Sequence, residues 1–212
     1  LADRVPLALS GRDNAIRASG PGALPIYTVG HSTRTIEAFV DLLRAGQVEL
    51  VVDIRSIPKS RRNPDYNLDE LPAKLASYQL GHTHIAELGG LRAKMRTMPR
   101  EVNAFWTNES FHNYADYALT ETFQAGLSRL LDISSDKRCA IMCAEAVWWR
   151  CHRRLVADYL ILHGRDVFHL LGEGRVEPAK MTSGATPAAG CLTYPAAIPP
   201  DASVNGASLS SG

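Results

Sequence analysis

Residues 139–160 read CAIMCAEAVWWRCHRRLVADYL, and this stretch decides the fold. It opens on Cys139, Ala140, Ile141, Met142 and Cys143, a short apolar run of the kind a strand covered on both faces shows. A loop follows. Cys151-His152-Arg153 then opens a helix predicted over 152–163, with Leu155, Val156, Tyr159 and Leu160 on its inner face and Gly164 as its cap. A buried strand feeding an amphipathic helix through a short loop is half of a β-α-β unit.

Outward from this stretch the same alternation continues. Further β-like runs lie at 26–29, 49–54, 83–86 and 166–170. The helix after the first run places Ile36, Phe39, Val40 and Leu43 on one face and stops at Gly46. A second helix is predicted over 69–80, with Pro72 near its first turn and Gly81 at its end. A long third is predicted over 114–131, with Leu119, Phe123, Leu127, Leu130 and Leu131 inward. The fold class this predicts is α/β: a single domain with a mostly parallel sheet of about five strands and helices on both faces, Rossmann-like.

The two ends read differently. Residues 1–25 mix Gly, Pro, Ser and charge without periodicity and predict a flexible segment. Residues 176–212 carry Pro178, Pro187, Pro195, Pro199 and Pro200 among Ala, Ser and Gly and predict a low-complexity, disordered tail. The domain is expected over 26–175.

The chain has 212 residues, 45% hydrophobic and 21% charged. That excludes a wholly disordered chain, a collagen-like repeat and a membrane bundle. No run approaches the ~20 apolar residues of a spanning helix, and the N-terminus lacks a signal peptide's apolar core. The first residue is Leu rather than Met, as in a trimmed chain or part of a longer product. A net charge of +1 points to no particular partner. Cys139, Cys143 and Cys151 cluster, with Cys191 apart, a usage that suggests the cytoplasm rather than a secreted disulfide scaffold.

In open parallel sheets, ligands bind outside the carboxyl ends of the strands. Gly30-His31-Ser32 follows the first predicted strand, and Asp53 and Arg55 close the second. Glu87 and Gly89-Gly90 follow the third, and Cys143, Glu145, Arg150, Cys151, His152 and Arg153 surround the loop after the fourth. A helix N-terminus favours anions and lowers a thiol's pKa, so Cys151 sits where thiolate is favoured. The Cys-to-Arg spacing and the missing glycines match thiol phosphatases poorly. A metal reading uses Cys143, Cys151 and His152, with His31 or His84 from a neighbouring loop, and zinc or iron as the ion. The bland alternative is that both cysteines are buried small hydrophobes.

Basic residues gather in acid-free windows at 55–62, 91–100 and 150–154. Converged, they would favour a phosphorylated small molecule or nucleic acid. Trp106, Trp148, Trp149 and Phe111 lie near them in sequence and would either stack on bases or act as lids. Asp53 and Arg55 share a strand face, as an ion pair or an anion clamp. Tyr114 and Tyr117 would reach the site or wedge their helix against the sheet.

The succession IYTVGHSTRTIEAFVDLL, VVDIRSIPKSRRNPDYN, ELGGLR, NYADYA, MCAEAVWWRCHRRLVADYL and HLLGEGRVEP resembles the bacterial family called domain of unknown function 488, over nearly all of residues 26–180. Gly30-His31-Ser32, Asp53 to Arg55, Leu88-Gly89-Gly90, Cys143-Ala144-Glu145 and Cys151-His152-Arg153 carry the resemblance. The loop Ala146-Val147-Trp148-Trp149 departs from it, being apolar where relatives tend to be charged and polar. The resemblance implies a compact α/β domain with a site at these motifs, and no particular reaction.

The combined expectation is an enzyme-like protein that binds a phosphate-bearing ligand. Arg55, Arg150 and Arg153 would hold the anion, and His31, Asp53, Cys143, Glu145, Cys151 and His152 would do the chemistry. The alternatives are a non-catalytic nucleic-acid-binding module and a metal-binding domain centred on Cys143, Cys151 and His152.

Overall fold

The computed structural model describes residues 23–197. Along the chain, strand β1 (Ile26–Gly30) leads to α1 (Ile36–Ala45), β2 (Leu50–Asp53), α2 (Leu71–Ala76) and β3 (Gly81–His84). Helices α3 (Glu109–Ala118) and α4 (Glu121–Asp136) follow, then β4 (Cys139–Cys143), α5 (Arg153–Leu162), β5 (Val167–Gly172) and β6 (Arg175–Pro178). A small hairpin, β7 (Thr186–Ala188) and β8 (Cys191–Thr193), ends the described chain.

The sheet runs β3-β2-β4-β1-β5-β6. β1 to β5 are mutually parallel, and β6 returns antiparallel on β5. Side chains alternate faces along each strand. Val51, Ala140, Met142 and Leu170 therefore pack under α1 and α2, against Phe39, Leu43, Leu71 and Leu75. Leu50, Val52, Ile54, Cys139, Ile141 and Val167 face the other way, against Phe123, Leu127, Leu155 and Tyr159 of α4 and α5. The expected α/β sheet with helices on both faces is what forms, with one more strand than expected.

The topology also makes a crevice. β4 lies between β2 and β1, whose following helices pack on one face, whereas β4 feeds α5 on the other. Chains diverging from neighbouring strand ends leave a cleft at the carboxyl edge, beside β4.

Two expectations are corrected. The helix predicted over 114–131 is two helices. It breaks at Leu119, and Thr120 restarts it by accepting the Phe123 N–H on its side-chain oxygen. The first of the two begins earlier, at Glu109, where the Asn108 side chain caps the N–H groups of Ser110 and Phe111.

The domain does not stop at residue 175. Residues 176–197, expected to belong to a disordered tail, complete β6 and form the hairpin, and Leu192 and Tyr194 are fully buried. The Tyr194 hydroxyl donates to Asp158 Oδ2 at 3.0 Å, and the Thr182 N–H donates to Asp158 Oδ1 at 2.8 Å. A few well-placed anchors offset a weak composition. The expectations for residues 1–22 and 198–212 lie outside the described residues. Among the described residues, no helix is long and apolar enough to cross a membrane.

If the segment is integral, Leu192→Ala should cost about 2–5 kcal/mol in urea denaturation, as a buried leucine does. A change within roughly 0.5 kcal/mol would return it to the status of a tail.

Candidate functional site

β4 ends at Cys143, on the face covered by α3 to α5. The loop after it makes a single 3-10 turn at Trp148–Arg150 and delivers Cys151 and His152 to the start of α5. Cys143 Sγ, Cys151 Sγ and the near nitrogen of His152 all lie within 4.8 Å of one another. His152 Nδ1 stands 3.6 Å from Cys151 Sγ and 3.9 Å from Cys143 Sγ.

The imidazole is fixed. Its Nε2–H donates to the Ile54 carbonyl at 3.0 Å, so in the neutral ring the Nδ1 lone pair points at the two sulfurs. Tyr114 packs edge-on against the ring at 5.1 Å, and its own hydroxyl donates to the Leu88 carbonyl. Gly90 lies flat against the other side. A Cβ there would come 2.3 Å from Nδ1, so only glycine lets the loop after β3 close on this histidine.

The two sulfurs behave as a pair. A hydrogen bond from the Cys151 thiol, with one from the Glu145 N–H, outweighs burial and holds the Cys143 thiol far below its ordinary value. Cys151, the donor in that bond, is pushed up by it and by burial.

The cluster opens into a cleft of about 200 Å³ lined by Gly90, Ser110, Phe111, Cys143, Glu145, Arg150, Cys151 and His152. Glu145 and Arg150 are exposed at its wall, and Glu145 is the carboxylate among these lining residues. Ser110 was not legible as a site residue, although Asn108-Glu109 is a helix-start signal that would have brought it forward.

The other expected site residues form a separate group on the α1/α2 side. Asp53 Oδ1 and Oδ2 accept from Arg55 Nε at 2.9 and 3.1 Å, and Oδ2 accepts from Nη2 at 2.6 Å. Arg55 also donates to the Tyr66 carbonyl at 2.6 Å and, through Nη1, to His31 Nε2 at 3.2 Å. His31 stacks on Tyr66 with ring centres 4.1 Å apart and bonds the Ser32 carbonyl through Nδ1. Burial, aided by the Arg55 charge, lowers its pKa to about 4, so it is neutral at pH 7. Tyr66 and His82, which stands 3.9 Å from Asp53, are further members of this group that the sequence did not single out.

Neither His31 nor His84 joins the Cys-His cluster. His84 Nε2 bonds the Arg55 carbonyl at 2.9 Å. Arg153, expected as an anion ligand, is 1% exposed and spends its guanidinium on the carbonyls of Val29, Glu145 and Ala146, at 3.2, 2.5 and 2.8 Å. Arg55 is likewise committed to Asp53 and Tyr66. Both arginines build the frame of the site rather than facing the cleft. Arg150 does face it.

Several members of the basic windows are committed within the fold. Arg92 lies over the Tyr117 ring and bonds carbonyls of the loop after β3, Arg100 pairs with Glu109, and Arg154 bonds Thr182 beside Trp106. Trp106 is core, and Trp148 stacks on His169 at 4.1 Å, which leaves Trp149 as the exposed tryptophan. Glu87 lines no part of the cleft, and its carbonyl accepts from the Tyr117 hydroxyl. Cys139 is buried in the core, and its thiol is pushed up to about 11 by that burial.

Two outcomes test this geometry. Burial opposes the Asp53 charge, but the bonds and charge of Arg55, with His82, prevail and hold the carboxyl at about 2. Its stabilisation is complete above about pH 4 and is lost progressively as pH falls from there through about 2, a contribution of roughly 2 kcal/mol. Denaturation of wild type and Asp53→Asn between pH 7 and 2 should show the difference shrinking by about that amount. For Arg153, replacement by Met should cost about 3 kcal/mol or more in urea, because three carbonyls lose a buried charged donor.

A family model described as domain of unknown function DUF488 matches residues 35–160, more than half of the chain, and the chain belongs to that family. No curated protein and no solved structure matches the chain.

Proposed function

We propose that this DUF488-family protein holds one zinc ion on Cys143, Cys151 and His152 and uses it, at the floor of the cleft, for hydrolytic chemistry with Glu145 as the acid–base group. The observation that carries the reading is the convergence of two sulfurs and a pre-oriented imidazole nitrogen within 4.8 Å, beside a cleft. A tetrahedron with metal–sulfur bonds of about 2.3 Å and metal–nitrogen bonds of about 2.0 Å has sulfur–nitrogen edges of roughly 3.5 Å. The separations of 3.6 and 3.9 Å are close to that before any ion draws the ligands in.

The surroundings support the same reading. A ligating histidine normally fixes its far nitrogen on a carbonyl, as His152 does on Ile54. Three protein ligands leave a fourth position for water or substrate, the arrangement of catalytic rather than structural zinc. Bound there, zinc would lower the pKa of its water toward 7. Zinc is favoured over iron by a mixed thiolate and imidazole set that asks for no redox partner. An anion clamp by Arg55 and Arg153 gains less support, because both are buried and their terminal guanidinium nitrogens bond within the fold.

Protein purified without chelator should carry close to one zinc per chain by plasma mass spectrometry. Cys143→Ser and His152→Ala should each reduce it at least about tenfold, and Gly90→Ala should weaken retention by displacing the His152 ring while the fold persists. Wild-type chains without metal that also fail to take up zinc on titration would overturn the reading. The Cys143 thiolate would then stand as a nucleophile with Cys151 as its hydrogen-bond donor.

A further inference from the structure

The mouth of the cleft has a composition that its floor does not explain. Ile57, in the loop after β2, is 66% exposed, Leu91, in the loop after β3, is 73% exposed, and Trp149, in the loop after β4, is 54% exposed. These are neighbouring strands of the sheet, so the loops share one edge. The Leu91 N–H donates to Ser56 Oγ at 2.8 Å, which ties the first two loops together. Gly90 and Arg150 line the same cleft, which joins the second loop to the third.

The same three loops carry Lys59, Arg61, Arg62, Arg96 and Arg150, all exposed and none in an ion pair among the described residues. Against them, Glu145 is the carboxylate on the cleft wall, and Glu109 is already paired with Arg100. The segment after β2 also carries Asp65, paired with Lys74, and the exposed Asp69 and Glu70, so the cations of residues 59–62 precede the acids along that loop.

We infer that this rim is a binding surface for single-stranded nucleic acid, with Trp149 as a base-stacking platform and the arginines of the β2 and β4 loops on the phosphates. The reading deepens the zinc-site proposal and rests on it for what happens at the floor: the rim supplies the substrate class, and the cleft takes a single nucleotide unit. Three features favour this occupant. Arginine predominates over lysine among the free cations, and its planar fork suits phosphate oxygens. The exposed indole is held at its base, since Trp148 meets it edge-on at 5.5 Å and is itself stacked on His169. A rigid aromatic flanked by cations is what a flexible strand with accessible base faces requires, whereas a duplex hides those faces. The cleft volume of about 200 Å³ is also too small for a duplex to enter.

The test is fluorescence anisotropy of the full chain with a labelled oligothymidylate, at 50 and 200 mM salt, with zinc content measured on every sample. Expected is saturable binding that weakens roughly 100-fold across that salt range, as about five phosphate contacts to a single strand imply. Trp149→Ala should weaken it at least about fivefold, and Arg61→Glu with Arg62→Glu more than tenfold, both with zinc and thermal midpoint retained. Absence of saturable binding at 50 mM salt would overturn the inference. So would a Trp149→Ala variant that binds as wild type does, or equal affinity for a duplex or for polyglutamate as competitor. Zinc present without strand binding defeats the rim alone, and strand binding without zinc defeats the floor alone.

Discussion

The site depends on one buried guanidinium. Arg153 has the largest fully buried side chain among the described residues, and its hydrogen bonds go to main-chain carbonyls: Val29 near the end of β1, and Glu145 and Ala146 just after β4. An arginine buried this deeply is tolerable because main-chain carbonyls accept from its terminal nitrogens. The consequence is mechanical. The loop after β4 is pulled back over the end of β1, and the start of α5 is fixed to both. Gly30 accommodates this closeness, since a Cβ there would strike the Glu145 carbonyl. With the loop so held, Cys143 at its beginning and Cys151-His152 at its end are brought face to face.

A second frame stands across the sheet. Asp53, Arg55, His31 and Tyr66 lock the loops after β1 and β2 into one unit through a buried ion pair, a stacked ring and a main-chain carbonyl. The two frames touch at β2, where the Ile54 carbonyl receives His152 and the Arg55 carbonyl receives His84. Side chains that look reactive in sequence thus divide into those that hold the loops and those that face the cleft. Among the arginines burial decides which is which: Arg55 and Arg153 are enclosed, Arg150 is not.

Much of the fold was legible because its strands are short apolar runs and its helices keep one apolar face. The strand over Cys139–Cys143 could be read to the residue. The Cys-His cluster was legible for a related reason, since a strand end and a helix start separated by one short loop are bound to lie close. What sequence could not give was partnership. Nothing in the letters of Arg153 tells carbonyl partners from a phosphate, because those carbonyls come from distant strands. Nor could the composition of residues 176–197 reveal that Tyr194 would find Asp158. The break between α3 and α4 was in principle readable at Thr120, but the unbroken apolar periodicity across it masked the cap.

The account stands or falls on the shell around an ion at Cys143, Cys151 and His152. The most direct measurement is X-ray absorption at the zinc edge of protein purified with its metal. The prediction is two sulfur scatterers at about 2.3 Å and one imidazole nitrogen near 2.0 Å, with one further light atom in the open position. A shell with no sulfur, or one of three or four sulfurs, would contradict it.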